Sequence, residues 1–222
     1  MTTRYPGPVR EWYSEFIGTA LIVLAVVGSA FMASDLSDDA LLQLLVNAVA
    51  TMLILALVIS LFASISGAHF NPVVTLVFAV TGRIAPGKIP LYLSAQFTGG
   101  FLGVVLANLM FTGEFVELSS KNRSLAGNYL GELIATSILI FIIMLALSEG
   151  KDSAVPLLVP AWIGSAYFLT VSTSFANPAV TLSRAFTSNF SGINLQSTFG
   201  FMAVQLVGGA LGLGIFRILS RR

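Results

Sequence analysis

The hexapeptide NPVVTL begins at Asn71 and returns as NPAVTL at Asn177, and both copies lie against long apolar runs. Asn is a favoured helix N-cap, and Pro is a favoured first helical residue because it lacks the N–H that would be left unpaired there. Each motif therefore predicts that a helix begins inside a hydrophobic region. The apolar pieces that follow, at 72–81 and 178–187, are about half as long as a membrane-spanning helix.

The remaining apolar runs predict complete membrane-spanning helices. Of the 222 residues, 56% are hydrophobic and only 9% are charged, which leaves too little polar surface for a water-soluble globule. Because one crossing needs about 20 apolar residues, we predict six crossings, at 10–33, 41–64, 89–111, 128–148, 154–173 and 196–219. The expected fold class is an all-α membrane protein with six transmembrane helices and two re-entrant half-helices.

The distribution of basic residues predicts the orientation in the membrane. Six crossings place both termini on one side of the bilayer, and short loops rich in Lys and Arg stay in the cytoplasm. The basic residues on the side of the termini are Arg4, Arg10, Arg83, Lys88, Lys151, Arg217, Arg221 and Arg222. Only Lys121 and Arg123 fall in loops on the opposite side. Both termini are therefore expected in the cytoplasm.

Three pairs of segments recur in the same order along the chain, which indicates an internal duplication. The pairs are EFIGT at Glu15 with ELIAT at Glu132, the two Asn-Pro motifs, and QFTGGFLG at Gln96 with QLVGGALG at Gln205. Because each half holds three crossings, the halves enter the bilayer from opposite faces. We expect one channel domain, 1–222, built from inverted repeats at about 9–111 and 126–219. Half-helices at matching positions of such repeats meet near the midplane.

The capped breaks predict how solutes would be selected at the midplane. An Asn that accepts a backbone N–H as cap still has two amide donors to spare, and each half-helix points the positive end of its dipole at the same place. Cations should be repelled there, while neutral solutes with oxygen lone pairs are accepted. With no Cys and a single His, we expect no catalytic residues, cofactor or metal site.

SGAHFNPVVTL and TSFANPAVTL resemble the two signature loops of aquaporins, in the major intrinsic protein family, and the paired Glu and Gln-Gly-Gly segments resemble further landmarks of that family. The resemblance covers nearly the whole chain and implies one pore per subunit and a homotetramer. Two positions depart from the family pattern. Val73 stands where the family usually has Ala, and Val180 stands where it usually has the Arg of a selectivity ring. The second departure is similar to bacterial aquaglyceroporins associated with arsenic handling, which implies a bacterial inner (plasma) membrane.

The other positions of the family's selectivity ring are located in this chain by counting residues from Asn71 and Asn177. The candidates are Thr51, Ser165 or Gly164, Ser174 or Thr173, and Val180. Because all of them are small or uncharged, the ring should be wide and should lack a fixed cation. Val73 is expected to add bulk beside the midplane. Arg184, one turn after Val180, is expected to end the half-helix near the outer interface or to pair with a loop acid rather than to reach the pore.

Two buried acids and one His need roles in this scheme. We expect Glu15 and Glu132 to support the re-entrant loops by accepting backbone hydrogen bonds, with a proton relay as the alternative. His69 is expected to support its loop or line the pore, rather than to act as a pH gate. The pore-lining backbone is expected at Gly67, Ala68, His69, Phe70, Ser174, Phe175 and Ala176.

These features favour a passive channel for small uncharged polar solutes, namely glycerol-like polyols, neutral metalloid hydroxides such as arsenous acid, and water. The alternatives are a water-selective aquaporin, a coupled secondary transporter, which also uses inverted repeats, and a membrane enzyme. The expected partners are a small neutral solute and the lipid bilayer. A formal charge of +1 gives no reason to expect nucleic acid.

Overall fold

The computed structural model describes residues 7–220, which form α-helices and short 3-10 turns without any β-strand. The helices are α1 (Pro8–Leu36), α2 (Ala40–Ser66), α3 (Pro72–Val80), α4 (Ile89–Phe111), α5 (Ala126–Ser148), α6 (Val155–Leu169), α7 (Pro178–Ser183) and α8 (Leu195–Leu219). Six of them are long and apolar enough to cross a membrane. The predicted fold class is confirmed. Arg4, Arg221 and Arg222, which contribute to the predicted orientation, lie outside the described residues.

The two half-helices begin where the sequence predicts and differ in how they end. α3 has nine residues, whereas α7 has six and continues into a 3-10 turn, Arg184–Phe186. Each is preceded by a loop that leaves a long helix, at Ser66 for α2 and at Leu169 for α6. α6 ends earlier than the predicted boundary at residue 173. The chain leaves the helix because Thr170 is extended and Thr173 takes a left-handed φ of 63°.

Small residues allow the long helices to approach closely in two equivalent places. α1 packs on α4, and α5 packs on α8. A Cβ at Gly99 would lie 2.3 Å from the Phe16 carbonyl oxygen, and a Cβ at Gly212 would lie 2.1 Å from that of Ser137. Because neither distance is sterically possible, only Gly allows these helix crossings, which is the behaviour of small residues at helix interfaces in membranes. Both crossings fix the helices that carry Glu15 and Glu132.

We use "terminal face" for the end of the molecule where α1 begins and α8 ends, and "opposite face" for the other end. α3 runs from the middle of the molecule back toward the terminal face, and α7 runs toward the opposite face. The two half-helices contact each other and both pack on α4 and α8, while α7 also packs on α1. Their N-termini therefore meet inside the bundle, surrounded by the six long helices.

Candidate pore

The N-termini of α3 and α7 are joined by their two Asn side chains. Asn71 caps α3 by accepting from the Val73 N–H at 2.9 Å, and Asn177 caps α7 by accepting from the Ala179 N–H at 3.0 Å. Each Asn also donates across the junction: Asn71 Nδ2 bonds the Ala176 carbonyl oxygen, and Asn177 Nδ2 bonds the Phe70 carbonyl oxygen, both at 2.8 Å. One amide hydrogen per Asn is thus used by the protein and one remains, whereas the sequence led us to expect two.

The loops before the two Asn residues share an unusual backbone. Gly67, Ala68 and Phe70 have φ of 83°, 51° and 49°, and Thr173, Ser174 and Ala176 have φ of 63°, 53° and 47°. Five of these six residues are not Gly, and for such residues the left-handed conformation costs roughly 1–2 kcal/mol each. Strain of this kind persists only where the surrounding structure imposes it, and it is concentrated at functional sites.

Two buried carboxylates impose this backbone. Glu15 Oε1 accepts from the His69 N–H at 2.9 Å, and its Oε2 accepts from the Phe70 N–H. Glu132 accepts in the same way from the N–H groups of Phe175 and Ala176, at 2.9 and 2.8 Å. Non-helical backbone at membrane depth must find its hydrogen bonds in protein or pore water. The geometry fits the predicted supporting role of both acids, since all their recorded partners are donors of the loops and of neighbouring helices.

The residues of both loops border a cavity of about 710 Å³ that extends along both half-helices. All seven residues predicted to contribute pore-lining backbone border it, as do Asn71 and Asn177. The carbonyl oxygens of Phe70 and Ala176 are used by the Asn amides. Those of the other five accept no hydrogen bond from residues 7–220, so they are acceptors available to a solute.

The structure separates the ring candidates into two groups. Thr51, Ser174 and Val180 border the cavity and are buried. Thr173, Gly164 and Ser165 do not border it. These last three assignments are wrong, because the count of residues back from Asn177 did not allow for the course of the loop that follows α6.

The two α6 candidates point elsewhere. A Cβ on Gly164 would lie 2.1 Å from the sulfur of Met52, so Gly164 faces α2. Ser165 is exposed on the outside of the bundle, and its hydroxyl donates to the Ala161 carbonyl oxygen. The α6 residues that border the cavity are instead Val155, Pro156, Val159, Ile163 and Tyr167, and all but Pro156 lie four residues apart. Their spacing of four residues is a helical signal that could have identified this face.

Tyr167 and Arg184 also border the cavity, and the sequence assigned neither of them to the ring. Thr51 Oγ1 donates to the Asn47 carbonyl oxygen at 2.8 Å, so the Tyr167 hydroxyl, 3.1 Å away, is the donor to Thr51. Arg184 borders the cavity and is buried, and it forms no salt bridge with any acid of residues 7–220. The expectation that Arg184 stays away from the cavity is therefore wrong. Of the two places expected for it, the pairing with a loop acid is not found among the described residues, whereas Arg184 does end α7 as its C-cap residue.

Val73 does not add bulk beside the cavity. It is buried, and a Cβ on Gly209 of α8 would lie 2.3 Å from its Cγ1. The side chain therefore fills space between α3 and α8. Val74, the next residue, faces the cavity instead, and it occupies the position on α3 that Val180 occupies on α7.

Charged residues border the cavity unequally at its two ends. At the terminal face it is bordered by Glu11, Lys88, Arg83 and Asp152, with Glu11 and Lys88 in a salt bridge of 2.7 Å. At the opposite face, Arg184 is the only charged residue of the described chain that borders it.

Two loop cations lie near Arg184. Burial lowers the pKa of Arg123 to about 10, and burial together with the charges of Arg123 and Arg184 lowers the pKa of Lys121. A guanidinium with a pKa near 10 remains protonated at neutral pH. Arg184 therefore has two further cations nearby at the opposite-face end of the cavity.

Comparison with known proteins places these features in context. A family model described as Major intrinsic protein matches residues 3–176. The chain is 41% identical over 210 residues to "Aquaglyceroporin AqpS" of Rhizobium meliloti (strain 1021), covering 95% of this chain and 90% of that protein. It is 28% identical to "Aquaporin TIP2-3" of Arabidopsis thaliana, covering 91% and 84%. Among solved structures, the aquaglyceroporin from Plasmodium falciparum matches with a TM-score of 0.64 and 25% identity, over 95% of this chain and 94% of that one.

Proposed function

The chain belongs to the major intrinsic protein family, and from this premise we propose that it is a passive channel for water and small uncharged polar solutes such as glycerol. It is an integral membrane protein, since six of its helices are long and apolar enough to span a bilayer. A channel function, rather than an enzymatic one, also agrees with the aquaglyceroporin relative of 41% identity.

The observation that carries this proposal is the polar track at the junction of α3 and α7. One amide hydrogen each of Asn71 and Asn177 remains available, and five loop carbonyls beside the same cavity accept no hydrogen bond from the described protein. A solute with hydroxyl groups can exchange its hydration for these donors and acceptors as it passes, which is how selective pores replace hydration. No ionisable side chain other than His69 borders the cavity beside the two Asn residues.

The solutes that fit this track carry several hydroxyl groups and no charge. Glycerol and arsenous acid each present three OH groups, and both are neutral at pH 7. Thr51, Ser174 and Val180 border the opposite-face part of the cavity with small side chains, and Tyr167 and Arg184 border it with large ones that carry hydrogen-bond donors. We therefore favour polyols and neutral metalloid hydroxides over a water-selective pore.

The proposal extends to the organisation of the protein. The chain is one domain of inverted repeats, about 9–111 and 126–219, with one pore per subunit in a homotetramer. The matched supports of the two loops by Glu15 and Glu132 favour the repeat. A relative in Rhizobium meliloti favours a bacterial inner membrane, and the basic residues of the terminal face favour cytoplasmic termini.

Val180→Arg tests the proposed pore with purified protein in liposomes. A second cation beside the cavity should narrow it and lower glycerol flux on the order of tenfold, while water flux falls about threefold or less, because a narrower pore excludes the wider solute first. Both fluxes are measured by stopped-flow light scattering. Val180→Leu adds bulk without charge and is the matched control, and it should change both fluxes by less than Val180→Arg does.

Two results would contradict the proposal. Glycerol flux in the wild type that requires a proton or sodium gradient would indicate a coupled transporter instead of a passive channel. Equal loss of glycerol and water flux in Val180→Arg, or no loss of either, would show that Val180 does not border the part of the pore that selects by size.

A further inference from the structure

Arg184 lies in the wall of the cavity at the opposite face. It opens the 3-10 turn that continues α7, is only 2% exposed, and borders the cavity. The spacing of cavity residues is the same along both half-helices. The cavity is bordered by Val74 and Phe78 on α3, which are four residues apart, and by Val180 and Arg184 in and after α7, which are also four residues apart. Helical spacing thus aims position 184 at the lumen, as it aims position 78.

The guanidinium of Arg184 is held on one side only. Its Cζ lies 3.4 Å from the centroid of the Phe175 ring, and its Nε donates to the Ser191 carbonyl oxygen at 2.7 Å. The two Nη groups donate to no atom of residues 7–220. They are not fully enclosed by protein, unlike the unpartnered polar atoms that are completely buried. They are therefore the part of the group that meets whatever occupies the cavity.

Arg123, which lies near the same ring, provides an internal contrast. Its Cζ is 5.0 Å from the Phe175 centroid, and its Nε, Nη1 and Nη2 donate to the carbonyl oxygens of Gly192, Ser172 and Phe190. Arg123 does not border the cavity. Its donors are used in holding the loops together, whereas those of Arg184 are not.

A buried cation without a carboxylate partner is costly to keep, and the aromatic face of Phe175 offsets only part of that cost. We propose that Arg184 is the residue that excludes cations from this channel and that its Nη groups donate to the oxygens of passing neutral solutes, an inference that rests on the proposed channel function. The other groups around the same stretch complement it. Ser174 and Phe175 border the cavity, and their carbonyl oxygens accept no hydrogen bond from the described residues, so they are available as acceptors.

Urea and guanidinium are the probes that isolate charge, because they are planar, have the same number of heavy atoms and differ by one charge. Uptake of each is followed in liposomes under an inside-negative potential set with potassium and valinomycin. The wild type should pass urea and exclude guanidinium. Arg184→Gln should raise guanidinium uptake about tenfold or more, because the repulsion between two like charges a few ångströms apart is removed, with urea uptake changed much less.

Arg217→Gln is the control, since Arg217 is exposed on α8 and does not border the cavity; it should match the wild type for both probes. The double variant Val180→Arg, Arg184→Gln places a cation beside the cavity one turn nearer the midplane. Unlike Arg184→Gln alone, it should exclude guanidinium. Arg184→Lys keeps the charge, so it should also exclude guanidinium. Arg184→Met removes the charge and keeps an unbranched side chain, so it should admit guanidinium and provides the same test if Arg184→Gln does not fold.

Guanidinium exclusion that is unchanged in Arg184→Gln, or that is lost in Arg184→Lys as well, would overturn the role of Arg184. A wild-type protein that passes neither glycerol nor urea would instead contradict the proposed channel function. The two failures are therefore distinguishable in one set of measurements.

Discussion

The re-entrant loops before α3 and α7 have the same backbone and different side chains. The left-handed residues fall at matching positions in both, and a buried carboxylate accepts from the two N–H groups before each Asn. Where the first loop has His69, 4.4 Å from the ring of Phe78, the second has Phe175, under the guanidinium of Arg184. The same two positions thus hold imidazole and phenyl at one end of the cavity, and phenyl and guanidinium at the other.

This difference distinguishes the side chains that support both loops in the same way from the cavity-facing side chains that differ between the two halves. The frame consists of the Glu, Asn and Gln side chains that fix the course of the loops, and it is nearly identical in the two halves. Phe78 and Arg184, one turn beyond Val74 and Val180, are free to differ, because their side chains form no hydrogen bond with either re-entrant loop. The two mouths can therefore have different charges while the junction keeps the same geometry.

The largest effect should come from removing the carboxylates. Glu15→Leu and Glu132→Leu each leave two buried loop N–H groups without acceptors, which costs about 2–6 kcal/mol of unfolding free energy at roughly 1–3 kcal/mol per unsatisfied group. Glu15 accepts from four donors, including the Ser66 hydroxyl, and Glu132 accepts from three. Glu15→Leu should therefore be the more harmful. Denaturant unfolding in detergent measures both.

Glu15→Gln and Glu132→Gln are the controls for side-chain size. Each retains one acceptor oxygen and turns an amide donor toward the loop. The unfolding free energy should therefore lie between that of the wild type and that of the Leu variant. Stability losses below about 1 kcal/mol in both Leu variants would mean that the loops hold their backbone without the carboxylates, since a single buried N–H already costs that much.

The junction itself should respond equally from its two sides. Asn71→Ala and Asn177→Ala each lose a cap, worth about 1 kcal/mol, and one hydrogen bond to the other loop, also worth about 1 kcal/mol. We expect losses of about 2 kcal/mol in each case, with the two values close together. Because both bonds cross the same junction, the double variant should lose less than the sum. If the two single variants lose different amounts of unfolding free energy, and the loss in the double variant equals their sum, the two Asn residues do not share one junction.

Much of this architecture could be predicted from the sequence because local rules determine it. Hydropathy locates the six long helices, Asn-Pro locates the starts of the half-helices, and an acid at membrane depth needs donors that only the irregular loops supply. The ring was harder to predict. Gly164 and Ser165 were assigned by counting back from Asn177, and the left-handed residues between Thr173 and Ala176 change how far the chain advances per residue.

Arg184 was missed for a different reason. Its position one turn beyond Val180 was evident from the sequence, but the direction of a long side chain depends on tertiary contacts. The Phe175 ring and the Ser191 carbonyl hold it against the cavity, and Ser191 lies in a loop for which the sequence provided no prediction. Tyr167 could have been found from the spacing of four residues along α6.

The smallest effect on stability is expected from the Ser66 hydroxyl, which forms the one hydrogen bond to a carboxylate that has no counterpart at the second loop. Ser66 Oγ donates to Glu15 Oε1 at 2.6 Å and accepts from the Ala68 N–H, whereas the matching Ser172 hydroxyl accepts from the Ser174 N–H at 3.3 Å and does not contact Glu132. Ser66→Ala should cost about 1.5 kcal/mol, the lower end for a hydrogen bond to a charged group, and Ser172→Ala about 0.5 kcal/mol. Equal losses in denaturant unfolding would mean that the hydroxyl does not add to the support of Glu15. No other bond would then favour the first loop, since the bond from Gln96 to Glu15 is matched by the bond from Gln205 to Glu132.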